Sequence, residues 1–201
     1  MLTIEEIEGK FIGIGMLGKI LVCNTIPLPT QAEAEADLKA TCISAWGDSL
    51  DFYWEFYTPE AYKIARYIYN LFVGRNPGPR GFDILPHYKT KFWNALLTIS
   101  SIPRGRFTTY GELARAINTS PRATGNYAAR NPYPLIIPCH RVVRSDMRLG
   151  GYSYGPIIKA SLLMNEGVTV NLDTGKVDPS KLIRAEELIK LRKVLKIVGY
   201  E

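Results

Sequence analysis

The sequence predicts an α+β protein: a small N-terminal β-sheet domain with flanking helices, then a mostly helical domain containing a helix-turn-helix. Three observations carry this. Residues 11–24, FIGIGMLGKILVCN, read as a β-hairpin turning at Gly18-Lys19. Two closely spaced helical patterns, TTYGELARAI and PRATGNYAAR, are joined by a short NTS turn. Net charge is −3 over residues 1–81, +7 over 82–168 and +2 over 169–201, so the chain changes character near residue 81.

In chain order, the hairpin contains a formal G-x-G-x-x-G (Gly13, Gly15, Gly18), but strand-like residues follow it and a dinucleotide site needs a helix there. TQAEAEADLKA reads as an exposed helix and LDFYWEFY as a strand. In TPEAYKIARYIYNLFVG, Thr58 is the N-cap, Pro59 the first helical residue and Gly74 the stop. GRNPGPRG is the linker candidate, because Gly, Pro and Arg cluster where the charge changes sign. HYKTKFWNALLTI places Phe92, Leu96 and Ile99 on the buried face of a core helix.

Thr109 and Glu112 then fit a capping box, with Leu113, Ala116 and Ile117 as the buried stripe of the helix they start. Ser120 caps the next helix, with Pro121 at its first position. That second helix offers Ala123, Gly125, Ala128 and Ala129, which are too small to read bases in a major groove. Small residues allow close approach to a minor groove, with Arg122 as the one long side chain near the start, or else they permit tight helix packing. Residues 179–198, PSKLIRAEELIKLRKVLKIV, read as an amphipathic helix with Ser180 as cap, packing on the core or adding a basic contact to DNA.

The chain has 201 residues, 46% hydrophobic and 22% charged, an ordinary globular composition. It lacks the apolar run of about 20 residues that a membrane span needs. Its acidic beginning, MLTIEEIEGK, does not resemble a secretory signal, so the expected location is cytoplasmic. Two His and three Cys are too few for a disulfide framework or a zinc site, although a Cys23–Cys42 bridge is conceivable. Eight of the eleven basic residues in 82–168 are Arg, which suits phosphate binding, although a solvated basic face would have the same composition.

The chemistry concentrates in NPYPLIIPCHRVVRSD. Pro134 and Pro138 make the approach to Cys139 extended. Neighbouring side chains in an extended chain face opposite ways, so coupling Cys139 to His140 requires a turn or a bridging water. Imidazole and guanidinium neighbours favour the thiolate, the nucleophilic form, while a small buried structural Cys is the bland alternative. No phosphate loop, metal cluster or cofactor fingerprint accompanies it. A thiolate acting on a DNA base would need that base out of the stack.

IPCHRVV, with the upstream NP and the downstream GGYSYG and LLMNEG, resembles the O6-alkylguanine-DNA alkyltransferase family. The likeness runs from about Phe82 to Val168, and FWNALLTISSIPRGRFTTYGELA is similar to the family's opening helix and the first helix of its helix-turn-helix. It implies a ribonuclease H-like α/β domain over 1–81, a DNA-binding and active-site domain over 82–168, and a helical extension over 169–201.

The resemblance also implies roles. Cys139 is the alkyl acceptor, His140 takes its proton through a water, and Glu166 orients His140. Asn131 is a hinge between the helix-turn-helix and the active-site segment. Tyr110 rotates a DNA phosphate and donates a proton to guanine N3, and Arg122 fills the gap left by the flipped base. Ala123 and Gly125 lie on the DNA-facing helix. The main chain of Cys139 and Val142 accepts from the guanine amine, Ser153 contacts O6, and Gly150 and Tyr152 form the pocket wall and loop.

The implied reaction is a single irreversible transfer from O6-alkylguanine, with O4-alkylthymine as a further candidate. It uses no cofactor and no metal, on double-stranded DNA bound through the minor groove by a monomer without membrane attachment. The expected place is nucleoid-associated, or nuclear in a eukaryote. Thr124 and Tyr127 stand where the family usually has Val and Ala, which implies altered packing under the second helix. The rival readings are a non-catalytic alkylated-DNA-binding relative, a helix-turn-helix regulator, and a cysteine hydrolase. The first lacks the cysteine, the second wants base-reading side chains, and the third turns over repeatedly.

Overall fold

The computed structural model describes residues 1–47, 50–87 and 90–197. Two compact units emerge: Met1–Pro86 with Arg130–Ile136, and His87–Ala129 with Ile137–Glu201.

The first unit is built on a three-stranded antiparallel sheet in the order β1 (Leu2–Ile7), β2 (Lys10–Leu17), β3 (Ile20–Asn24). The hairpin expected from the sequence is β2–β3, and Gly18 supplies the positive φ of +59° that its turn needs. β1 was not anticipated from the sequence, because its mixture of Thr, Glu and Ile gave a weak alternation. It pairs with β2 from Leu2↔Gly15 to Ile7↔Lys10.

Two helices join the sheet: α1 (Gln31–Trp46), capped by Thr30, and α2 (Pro59–Phe72). In α2 the Thr58 hydroxyl accepts from Ala61 N–H at 3.1 Å. Far from being wholly exposed, α1 buries Ala34, Leu38 and Cys42. Its close approach to the sheet explains the formal glycine motif. A Cβ on Gly13 would lie 2.8 Å from Leu38 Cβ, and one on Gly15 would overlap the Cys23 sulfur. These glycines make room for a helix and a disulfide, Cys23–Cys42, with Cα atoms 5.7 Å apart.

The strand expected over LDFYWEFY does not form. The segment has one isolated bridge, Leu2↔Trp54, and Tyr53, Phe56 and Tyr57 are exposed. Aromatic enrichment suggested a half-buried strand, but the residues lack a partner surface along most of their length.

The unit boundaries differ from 1–81, 82–168 and 169–201 in three places. Residues 82–86 stay with the first unit, where Leu21 N–H donates to Asp83 O and Leu85 N–H to Leu21 O, extending the pairing beyond β3. Residues 130–136 also belong there: Asn24 N–H donates to Pro132 O, its side-chain amide to Pro134 O, and the buried Tyr133 hydroxyl to Leu85 O. Residues 169–197 are no separate extension, as the second unit's core requires them.

That second unit contains α3 (Thr90–Ser100), β4 (Thr108–Thr109), α4 (Tyr110–Ala116), α5 (Pro121–Ala129), β5 (Val142–Val143), α6 (Pro156–Asn165), β6 (Val170–Asn171), β7 (Lys176–Val177) and α7 (Ala185–Ile197). The predicted starts of α3 at residues 88 and 89, and the predicted end of α7 at residue 198, lie outside the described residues. Phe107, Val143, Leu149, Leu163 and Val168 share one core with Val170 and Val177 of the β6–β7 hairpin. The stretch 181–183 lies parallel to β4: Phe107 N–H donates to Lys181 O and Ile183 N–H to Phe107 O.

Glu112 completes this junction. Its N–H donates to the Thr109 hydroxyl, but its carboxylate does not close a capping box. It pairs with Arg115 and accepts from Ala185 N–H at 2.9 Å, so it caps α7 across the fold. Ser180 therefore does not cap α7, which begins five residues later. No described helix is long and apolar enough to cross a membrane.

The disulfide closes a loop of 19 residues' separation. Its reduction should lower unfolding free energy by about 3 kcal/mol, measured by urea unfolding with and without reductant. An unchanged midpoint would mean that packing alone holds α1 to the sheet.

Candidate active site

The approach to Cys139 is extended up to Pro138, as the two prolines require, but the chain then makes a single 3-10 turn over Cys139–Arg141. Arg141 N–H donates to Pro138 O at 2.9 Å. This turn brings the neighbouring side chains out of the opposed arrangement expected of an extended chain. It also buries all three residues.

Cys139 is the cysteine outside the disulfide and lines an open cleft of about 430 Å³. One wall is Tyr110 at the start of α4 with Gly125, Ala128 and Ala129 of α5; the other is the loop Gly151, Tyr152 and Ser153. The small side chains of α5 leave this wall low, and a Cβ on Gly125 would meet nothing within 4 Å.

His140 and Glu166 lie behind the cysteine and do not line the cleft. His140 Nε2 is 3.0 Å from Glu166 Oε1, and both side chains are almost fully buried. Buried His140 Nδ1 has no hydrogen-bond partner among the described residues. Burial holds the imidazole below its ordinary pKa, against the opposing pull of Glu166, so it is neutral. The carboxylate bond then assigns the proton to Nε2 and leaves Nδ1 as an acceptor.

Glu166 has a second partner that the sequence did not reveal. Arg141 grips it through Nε and Nη2, each at 2.7 Å, while Nη1 donates to Ile102 O at 2.6 Å. Burial would raise the Glu166 pKa, but hydrogen bonds from His140 and Arg141 outweigh it and hold the carboxyl at about 2. Glu166 is thus ionised at any working pH.

Lys159 was also missed. It is fully buried in α6 without a carboxylate partner among the described residues, and Nζ donates to Val142 O at 2.7 Å and to Gly151 O at 3.3 Å. Its Nζ lies 5.7 Å from the Tyr110 ring centroid and 6.0 Å from that of Tyr152. Burial lowers its pKa to about 8, with Cys139 pulling the other way. The signal was present: Lys159 shares a helical face with Leu162, Leu163 and, two turns on, Glu166. Tyr110 is likewise pushed up to about 12 by burial and then by Cys139, so its phenol is neutral. Its hydroxyl lies 3.5 Å from Gly151 O.

The remaining residues fall as follows. Val142 is buried on β5 with its carbonyl engaged by Lys159. Gly150 has φ +70°, and a Cβ there would lie 2.9 Å from Arg144 Cγ. Arg122 is exposed near the start of α5, and Ala123 N–H donates to the Ser120 hydroxyl at 3.2 Å, the expected cap. Asn131 belongs to the first unit, where its side-chain carbonyl accepts from Tyr133 N–H. Thr124 is buried, with its hydroxyl 2.8 Å from Pro121 O and 3.1 Å from Tyr110 O. Tyr127 meets the edge of Phe92 with ring centroids 5.9 Å apart. A hydroxyl and a ring thus pack where the resemblance expected small aliphatic groups.

Comparisons with known proteins agree on one family. The model of the 6-O-methylguanine DNA methyltransferase DNA binding domain matches residues 87–168. A methylated-DNA–protein-cysteine methyltransferase of Methanocaldococcus jannaschii is 38% identical over 167 residues, 81% of this chain and 92% of that one. A protein of the same name from Methanocaldococcus vulcanius is 32% identical over 84% of this chain and 99% of its own. Among solved structures, the O6-methylguanine-DNA methyltransferase of Pyrococcus kodakaraensis superposes with a TM-score of 0.69 at 26% identity, over 84% of this chain and all (100%) of that one. The Methanococcus jannaschii O6-methylguanine DNA methyltransferase gives 0.59 at 34% identity, over 84% and 95%. With a relative above 30% identity covered over nearly its whole length, and with the cysteine on the cleft wall and a paired histidine and glutamate buried near it, the chain belongs to the methylated-DNA–protein-cysteine methyltransferase family.

Proposed function

We propose that the protein repairs DNA by direct reversal, taking the alkyl group of O6-alkylguanine onto Cys139 once and irreversibly. The observation that carries this reading is a thiol, outside the disulfide, on the wall of an open cleft and backed by a buried His140–Glu166 pair. The sulfur attacks the alkyl carbon, the C–S bond forms, and the C–O6 bond breaks with its electrons passing to guanine. The thiol proton goes to His140 Nδ1 through a water, and guanine gains a proton in exchange. The product is a thioether, for which the cleft offers no cleaving group, and no cofactor enters.

Each neighbour has a physical task. Glu166 fixes the His140 tautomer and stabilises the imidazolium that forms. Lys159 adds positive potential beside the sulfur as it ionises. Tyr110, kept neutral by burial, donates toward guanine N3 as the base leaves. Ser153 on the cleft wall contacts O6, and the main chain of Cys139 and Val142 receives the guanine amine. Val142 O already accepts from Lys159, but a carbonyl has a second lone pair.

The base must leave the stack to reach this cleft. α5, with Ala123 and Gly125, lies in the minor groove, and Arg122 fills the space the base vacates. Asn131 acts as the hinge. The protein works as a monomer on double-stranded DNA, beside the chromosome. A hydrolase reading would require turnover, and a regulator reading would require base-reading side chains on α5.

Cys139→Ala should gain no alkyl mass after incubation with methylated duplex, yet bind it as the parent does. Label on the variant would identify a different acceptor. Arg122→Ala should slow transfer from duplex about tenfold more than it slows transfer from free O6-benzylguanine, because only the duplex requires flipping. Equal losses on both substrates would sink the finger assignment.

Glu166→Gln separates proton transfer from structure. Single-turnover rate at neutral pH should fall and partly recover as pH rises, while DNA affinity holds. The variant should also lose about 3 kcal/mol of stability at pH 7, because the Glu166 pKa falls from 4.5 to about 2 on folding. A depressed carboxyl stabilises fully above its unfolded pKa and loses that contribution as pH falls through the folded one. Urea midpoints of parent and variant should therefore converge between pH 4.5 and about 2. A constant gap across that window would place the stabilisation elsewhere.

A further inference from the structure

The segment after residue 168 lies beyond the part of the chain that the family's DNA-binding model matches, so no role comes to it from there. It nevertheless forms one wall of a second groove in the same unit, about 440 Å³ in volume. Thr109, Gly111 and Arg115 of the β4–α4 region form one side, Ser145 another, and Leu182 and Arg184 the third.

Charge and rigidity distinguish this groove from an ordinary surface recess. Arg184 is exposed at its edge, and no ion pair to it is present among the described residues. The one carboxylate lining the groove, Glu112, is already committed to Arg115 and to Ala185 N–H. The groove thus keeps a net positive charge beside a serine hydroxyl. Ser145 Oγ comes so close to α4 that a Cβ on Gly111 would lie 3.1 Å from it.

Arg184 does not sit on a loose tail. Residues on either side of it are bonded to the helix-turn-helix region: Ile183 N–H to Phe107 O at 2.7 Å, the Thr108 hydroxyl to Ile183 O at 2.8 Å, and Ala185 N–H to Glu112. Position and backbone are therefore fixed before any ligand arrives, which reduces the ordering cost of binding. Thr109 and Gly111 flank Tyr110, whose ring lines the Cys139 cleft. The groove and the Cys139 cleft thus meet at the start of α4.

We propose that this groove holds a backbone phosphate of the bound DNA, with Arg184 as its principal charge, so that the C-terminal segment is part of the DNA-binding surface. This rests on DNA as the partner, but not on transfer to Cys139.

The test is binding of the full-length protein to a lesion-free duplex, followed by fluorescence anisotropy across a salt series. Parent, Arg184→Gln and Lys190→Gln are compared; Lys190 is an exposed cation on α7 that does not line the groove. Arg184→Gln should weaken binding about fivefold and reduce the log–log salt slope by about 0.9, the value for one lost phosphate contact. Lys190→Gln should leave the slope close to that of the parent. Equal reductions in both variants would make the effect a general field and overturn the site, as would an unchanged slope in Arg184→Gln. Urea midpoints check that each variant is folded. Should Arg184→Gln not fold, Arg184→Met must show the same loss of slope for the proposal to stand, and a parental slope in it overturns the site. Because the duplex carries no lesion, failure of alkyl transfer in the parent would defeat the functional reading while leaving this readout intact.

Discussion

The Glu166 carboxylate is buried and divided between an imidazole and a guanidinium. Three consequences follow from that one arrangement. It fixes which His140 nitrogen carries the proton, it neutralises a buried Arg141, and it ties the end of α6 to the turn that holds Cys139. An isolated buried arginine or carboxylate would be costly, and each is tolerated because the other is there. Burial alone would push the carboxyl toward its neutral form, and its two partners reverse that tendency. The residues proposed to support Cys139 are thus also part of what folds the unit.

The same economy of placement recurs at Glu112. This side chain starts near the first helix of the helix-turn-helix, pairs with Arg115 and caps α7. Together with the pairing of 181–183 beside β4, it makes the C-terminal segment part of the unit that carries the cleft. Val170, Val177, Ile183 and Leu188 are buried for the same reason: the core around Phe107 and Leu163 is not closed by residues up to 168.

The cleft combines two demands that oppose each other. In the proposed reaction a flipped base would need open space, which the small α5 residues leave, and Cys139 as nucleophile would need a controlled electrostatic setting, which requires burial. The structure separates them by depth. Cys139, Tyr110 and Ser153 line the opening, and His140, Glu166, Arg141 and Lys159 lie behind it. Tyr110 and Lys159 are both shifted toward neutrality by burial, and Cys139 affects each of them.

Local signals in the sequence determined a good deal of this. The turn at Gly18, the Thr58 cap with Pro59, the Ser120 cap with Pro121 and the extended approach to Cys139 depend on backbone preferences and contacts a few residues apart. Cys139, His140 and Glu166 were singled out because their motifs resemble the family to which the chain belongs, and the structure pairs His140 with Glu166 and sets Cys139 on the cleft wall. Contacts distant in sequence were not legible. The return of Arg130–Ile136 to the first unit depends on Asn24 and Leu85, and the capping of α7 on Glu112, 73 positions away. Lys159 and Arg141 looked like ordinary cations, since a sequence gives their charge but not the depth at which folding leaves it. The strand expected over LDFYWEFY failed for the same reason: propensity is local, whereas pairing requires a neighbouring edge that only the tertiary structure supplies.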